Sequence, residues 1–224
     1  MPSTYSLCNQ KLIYSYLLNA TLLADHCARL AERDPDLAAI IAAYGIPPMW
    51  TRGADYANLV HLILEQQVSI ASAVATLERL RGIVPTITPE HILAQTDEAL
   101  RACGLSRQKI QYVRNVANAI LSGSLDLATL AHQPDDVARA ALTNIKGIGA
   151  WTADCYLLHS LGRTDLFPIG DVALRTSLRT VKGLAKETTH DELLTIAATW
   201  QPYRSAATFL LWHDYLCKRG RTLD

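Results

Sequence analysis

The sequence predicts an all-α chain of two helical lobes with a cleft between them. Three observations predict it. Half of the 224 residues are hydrophobic but only 7% are aromatic, with alanine and leucine, both strong helix formers, most abundant. Apolar residues recur three and four apart between recognisable start and stop signals. No stretch alternates apolar and polar residues for long enough to make a central strand.

The elements follow in order. Lys11 to Arg33 has helical periodicity and ends at Asp34-Pro35. A short helix over Asp36 to Tyr44 is closed by Gly45 and the Pro47-Pro48 pair. Asp55 to Gln67 carries Leu59 and Ile63, and Ile70 continues the apolar stripe. Ile70 to Arg81 is the next helix, stopped by Gly82. Thr88-Pro89 reads as a cap with proline at the first helical position, and Ser106 caps a helix with Ile110, Val113, Val116, Ala117 and Ile120 on one face. Pro134 opens a helix to about Leu142, and another runs from Ala150 to Leu161. Asp171 opens the next, and Asp191–Trp200 and Pro202 to about Lys218 close the chain. Residues 1–54 with 184–224 are expected to form one lobe, and residues 55–183 the other.

Composition excludes several function classes. No apolar run is long enough to span a bilayer, and no secretory leader is read at the N-terminus, so no membrane partner and a cytoplasmic, nucleoid-associated location are expected. The five cysteines, Cys8, Cys27, Cys103, Cys155 and Cys217, are scattered without zinc or iron–sulfur spacing and read as free thiols. Formal net charge is zero, with 21 basic and 21 acidic residues. This counts against a protein that grips a polyanion mainly by bulk charge, and leaves room for a grip through a few local contacts.

One place offers it. Two helices meet at Ile145-Lys146-Gly147-Ile148-Gly149, inside LTNIKGIGAWTADCYLL. Glycines permit backbone angles closed to other residues and let another backbone come close. The helix that begins at Ala150 turns its first N–H groups, and the positive end of its dipole, outward, which makes an anion site without net charge. Lys146 adds a cation, and Ile145 and Ile148 face inward to pin the helices. The same pattern also suits an ordinary helix corner with a glycine stop. Downstream, Phe167-Pro168-Ile169-Gly170 fixes a loop that delivers Asp171 to a helix start. Asp171 suits a plain N-cap or an i,i+4 ion pair with Arg175 as well as a functional carboxylate.

Together, Leu142 to Leu178 resemble the helix-hairpin-helix (142–160), Gly/Pro-loop, aspartate signature of the DNA glycosylase superfamily, and within it the 3-methyladenine DNA glycosylase II, alkylation-repair type. ILEQQVSIASA, GLSRQKIQYVRNVA and WQPYRSAATFLLW are further matches, so the resemblance runs from about residue 55 to the end. It implies a monomeric, monofunctional hydrolase that acts on damaged double-stranded DNA in base excision repair. Its substrates would be flipped-out purines of the 3-methyladenine and 7-methylguanine type. A non-catalytic binder of damaged or abasic DNA, or a glycosylase for oxidised or deaminated bases, are the alternatives.

The resemblance also assigns roles. Asp171 matches the catalytic aspartate, expected to work as a carboxylate that stabilises positive charge developing on the sugar and orients or deprotonates the attacking water. The target base must leave the stack, and the turn near Gln66 to Ile70 matches the wedge, with Gln67 as the plug or, failing that, a solvated turn residue. Trp151 and Trp212 match aromatic pocket positions suited to a cationic purine, with Tyr56 and Tyr203 as further candidates. Cys155 stands where some relatives have a pocket tyrosine. Bifunctional relatives carry a lysine nucleophile at the position of Trp151, so a strand-cutting step is not expected. Lys146, Gly147, Gly149 and Ala150 would hold phosphate; Arg175 and Arg179 would either touch phosphate or be solvated surface. Arg204 would hold the C-terminal helix, and His159 and His213 would be structural. No cofactor is required by this reading, and the four cysteines of the family's optional iron–sulfur cluster are not found. The backbone carbonyls of Thr143, Ile145 and Ile148 match those that hold a monovalent cation, Na+ or K+, in such hairpins.

Overall fold

The computed structural model describes residues 17–221. Among them are thirteen α-helices and no β-strand, in agreement with the all-α expectation. In chain order they are α1 (Ala20–Arg33), α2 (Pro35–Tyr44), α3 (Tyr56–Glu65), α4 (Ile70–Arg81), α5 (Pro89–Leu93), α6 (Asp97–Ala102), α7 (Arg107–Leu121), α8 (Leu127–Leu130), α9 (Asp135–Thr143), α10 (Ala150–His159), α11 (Val172–Val181), α12 (His190–Ala198) and α13 (Arg204–Cys217). The start of the expected Lys11–Arg33 helix lies outside the described residues. Its described part begins at Ala20, because the Asn19 side chain accepts the Leu22 N–H at 2.9 Å and sets the cap there. Cys8 also lies outside them.

The chain divides into two compact units. One is Met1–Thr51 with Gly162–Asp224, described over 17–51 and 162–221; the other is Arg52–Leu161. The division falls after 161, not after the expected 183. The reason is α11, which packs on α13 through buried Leu174, Ser177 and Leu178 and is locked there by Ser177 Oγ donating to Asp214 Oδ2 at 2.8 Å. Asp171 therefore belongs with the terminal helices.

In that unit α13 is the axis. Every residue from Ser205 to Trp212 is buried, as expected of a helix apolar nearly all round. Helices α1, α2 and α11 pack against it. The one buried carboxylate at the α1–α2 corner, Asp34, is fully engaged: it caps α2, accepts Lys182 Nζ at 2.7 Å and accepts Trp200 Nε1 at 2.7 Å. Removing Lys182 would leave the buried Asp34 charge without its ion-pair partner, which costs about 3–5 kcal/mol when a buried pair is broken.

In the Arg52–Leu161 unit, α3 and α10 are the buried helices, and α7 packs on α3 and α5. Helices α9 and α10 form the hairpin, pinned by Arg139 Nε donating to Asp154 Oδ1 at 2.6 Å. Two short helices that periodicity does not reveal, α6 and α8, start on side-chain caps from Thr96 and Asp126. They span under two turns each, too short to show a period.

Candidate DNA-binding and catalytic residues

The hairpin turn has the geometry its sequence requires. Gly147 has φ 116°, and a Cβ there would lie 2.6 Å from Tyr112 Cβ. Only glycine meets both conditions. Gly149 is the N-cap of α10 in an extended conformation, and a Cβ would meet nothing within 4 Å. No side chain caps α10 at this end, and Gly149, Ala150 and Lys146 are exposed. The opening of the helix is thus presented to solvent, as an anion site demands. Ile148 is buried and Ile145 half-buried, pinning the turn from within. From outside, Asn115 Nδ2 donates to the Lys146 carbonyl at 2.9 Å.

The α3–α4 turn lies in the same unit. Gln67 is exposed and has φ 58°, alone among the described non-glycine residues in holding a positive φ. Its neighbours Val68 and Ile70 are also exposed, at 45% and 50%. Ile70 therefore does not extend the buried stripe of Leu59 and Ile63: α3 ends at Glu65, and the turn changes the helix face presented. Gln66 is the functional candidate that the sequence did not single out. Its Nε2 donates to the Gly147 carbonyl at 3.0 Å and to Thr152 Oγ1 at 2.9 Å.

Asp171 is positioned by a chain of contacts within its own unit. Arg204 clasps Asp165 through Nε and Nη2, which is the structural role expected of it. Ser205 Oγ accepts the Leu166 N–H and donates to the Arg163 carbonyl, and Thr208 Oγ1 donates to the Leu166 carbonyl. The loop so fixed turns through Asp171 N–H donating to Pro168 C=O at 2.8 Å. Asp171 caps α11, its Oδ1 accepting the Leu174 N–H at 2.8 Å and Trp212 Nε1–H at 3.1 Å. The structure thus brings Asp171 and Trp212 together, and gives Trp212, 6% exposed, a donor role toward the carboxylate.

The two tyrosine candidates are engaged elsewhere. Tyr56 is buried in the core, and its hydroxyl donates to the Val113 carbonyl at 2.9 Å; burial raises its pKa well above the usual tyrosine value. It is core, not pocket. Tyr203 packs at a tilt against the His26 ring, centroids 4.5 Å apart, and lies under Arg33, so it joins the C-terminal helix to α1. Arg175 donates to the Ile169 carbonyl and Arg179 to the Thr188 carbonyl, so both hold loops in place. Trp151 is half-buried in the first turn of α10, and Cys155 is buried one turn on. His159 is buried, and His213 meets the Tyr44 carbonyl. Among the described residues no three His, Cys, Asp or Glu side chains gather as metal ligands, and no helix is long and apolar enough to cross a membrane.

Residues 60–202, which include the hairpin and Asp171, match the HhH-GPD superfamily of base excision DNA repair proteins. The chain belongs to this superfamily. Its HhH-GPD relatives include DNA-3-methyladenine glycosylase 1 of Schizosaccharomyces pombe, 30% identical over 191 residues, with 84% of each chain covered. DNA-3-methyladenine glycosylase 2 of Escherichia coli is 31% identical over 167 residues, covering 69% of this chain and 55% of that one. Among solved structures, the S. pombe 3-methyladenine DNA glycosylase in complex with abasic DNA superposes with a TM-score of 0.78 at 29% identity, covering 85% of this chain and 94% of that one. A Bacillus halodurans DNA-3-methyladenine glycosidase gives 0.72 at 34% identity, covering 84% and 88%.

Proposed function

We propose that this HhH-GPD protein is a monofunctional DNA N-glycosylase that releases alkylated purines, of the 3-methyladenine and 7-methylguanine type, from damaged double-stranded DNA. The observation that carries the reading is Asp171: a carboxylate at the end of a Gly/Pro loop, fixed by a helix-start amide and a tryptophan N–H. The relatives named for 3-methyladenine support the alkylpurine class.

The chemistry follows from the residues. The open start of α10 and Lys146 receive a phosphate, and Gln67 fills the gap left by the flipped nucleotide. Cleavage of the N-glycosidic bond builds positive charge on the sugar, which the Asp171 carboxylate stabilises while it orients or deprotonates the water. A ring-alkylated purine is already cationic and leaves as a neutral base, so no general acid is needed. Trp151 occupies the lysine's place, so no Schiff base forms and the strand stays intact.

The hairpin backbone also fits a monovalent cation. The Thr143 and Ile148 carbonyls take part in no backbone hydrogen bond among the described residues, and the Ile145 carbonyl accepts only the Ile148 N–H, at 3.0 Å. A bound Na+ or K+ would supply fixed positive charge beside the phosphate.

The test is release of methylated bases from alkylated duplex DNA by the wild type and by Asp171→Asn, with borohydride trapping run in parallel. Release by the wild type, a fall on the order of 10²-fold or more in the variant, and no covalent adduct are expected. Tight binding of abasic DNA without release by either protein would make the chain a binder, and a lysine-dependent adduct would make it bifunctional.

A further inference from the structure

The turn that carries Gln67 is strained. A left-handed backbone at a non-glycine residue is costly and persists only where its surroundings over-determine it. Three anchors do so. On one side Lys109 Nζ donates to the Leu64 carbonyl at 2.7 Å, holding the last turn of α3. On the other, Ser69 caps α4 by accepting the Ser72 N–H. Between them Gln66, adjacent to Gln67, reaches 81 residues along the chain to the Gly147 carbonyl and 86 to the Thr152 hydroxyl. Both acceptors belong to the hairpin: one is its central glycine, the other lies in the first turn of α10.

We propose that Gln66 is a positioning residue that ties the Gln67 turn to the glycine hairpin, so that gripping the phosphate and filling the base stack are one act. Its carboxamide provides the two N–H donors this requires, and both are used. The hairpin does not depend on the tie for its own shape, because Asn115 holds the Lys146 carbonyl and Tyr112 packs against Gly147. The dependence runs the other way. Without Gln66 the Gln67 turn loses its link to the hairpin and relaxes out of the left-handed conformation, while the phosphate clamp stays formed. Two neighbouring glutamines thus have separate tasks: Gln67 enters DNA, and Gln66 fixes where it enters.

This inference rests on the glycosylase reading. It is tested with Gln66→Met, which keeps length and removes both donors, and with Thr152→Val, which keeps shape and removes one acceptor. Three quantities are read: affinity for undamaged duplex, 2-aminopurine fluorescence beside an abasic-site analogue as the report of stack opening, and the single-turnover rate of base release from methylated duplex. Gln66→Met is expected to keep undamaged-duplex affinity within about twofold, lose the fluorescence rise, and slow release by roughly 10- to 100-fold, the scale of a misplaced positioning element. Thr152→Val should show the same pattern to a smaller degree, Thr152→Ser should behave as wild type, and the double variant should be no worse than Gln66→Met, because both changes break one link. A release rate within twofold of wild type in Gln66→Met overturns the proposal. So does a parallel fall in undamaged-duplex affinity and thermal stability, which would make Gln66 a fold residue only. If Gln66→Met does not fold, Thr152→Val and Thr152→Ser decide by the same criteria. A wild type that releases no base overturns the glycosylase reading instead, and the fluorescence comparison still tests the tie.

Discussion

Asp171 has two tasks that its neighbours keep separable. As an N-cap it accepts the Leu174 amide, and as a carboxylate it is held by Trp212. Asparagine caps a helix as well as aspartate does, whereas alanine does not. Asp171→Asn is therefore expected to unfold in urea at the wild-type midpoint with base release lowered on the order of 10²-fold or more. Asp171→Ala should lose release and, in addition, about 0.5–2 kcal/mol of stability. Equal stability loss in both variants would show that the cap does not act through the side-chain oxygen. The residue scale is also where sequence reading was most uneven. That Asp171 opens a helix was legible from the Pro/Gly loop before it, whereas its catalytic role was implied only by the family resemblance. Tyr56 was not legible: an aromatic at a helix start looks the same whether its hydroxyl meets a ligand or, as here, the Val113 carbonyl. Gln66 was hidden for the same reason. Its meaning lies in partners more than eighty residues away, and no local spacing encodes them.

At the scale of elements, caps made the fold legible. Thr88 and Ser106 each accept a backbone N–H three residues on, so short polar side chains before apolar stripes gave the starts of α5 and α7 correctly. The unit boundary was not legible, because it depends on which partner α11 buries Leu174 and Leu178 against. The hairpin offers a sharp test of what each glycine does. At Gly147, φ 116° and the Tyr112 side chain both oppose a Cβ; at Gly149, φ −90° and open space tolerate one. Gly147→Ala is expected to destabilise the protein by more than about 1 kcal/mol, read as a lower midpoint of thermal unfolding. Gly149→Ala should unfold as wild type yet bind undamaged duplex more weakly, since the added methyl stands where phosphate must approach. Equal stability of the two variants would remove the steric account of Gly147. Full DNA affinity in Gly149→Ala would remove the phosphate from the start of α10.

For the whole molecule the central fact is charge. The 21 basic residues are matched by 21 acidic ones, and many described cations already have partners. Lys182 meets Asp34 and Asp36, Arg52 meets Glu65, Arg139 meets Asp154 and Arg204 meets Asp165. Lys109, Arg175 and Arg179 donate to backbone carbonyls. On the proposed function a polyanion would meet helix-start amides and a few cations such as exposed Lys146. Each phosphate neutralised by a cation contributes about −0.9 to the slope of log affinity against log salt. For undamaged duplex, a slope between about −1 and −3 is expected across a salt titration followed by fluorescence anisotropy. Lys146→Met should reduce its magnitude by about 1. Amide contacts carry no counterion to release, so affinity that survives at high salt is assigned to the start of α10 and should be the part that Gly149→Ala lowers. A slope steeper than about −6 would require a basic surface in contact with DNA, and would place the main grip outside the hairpin.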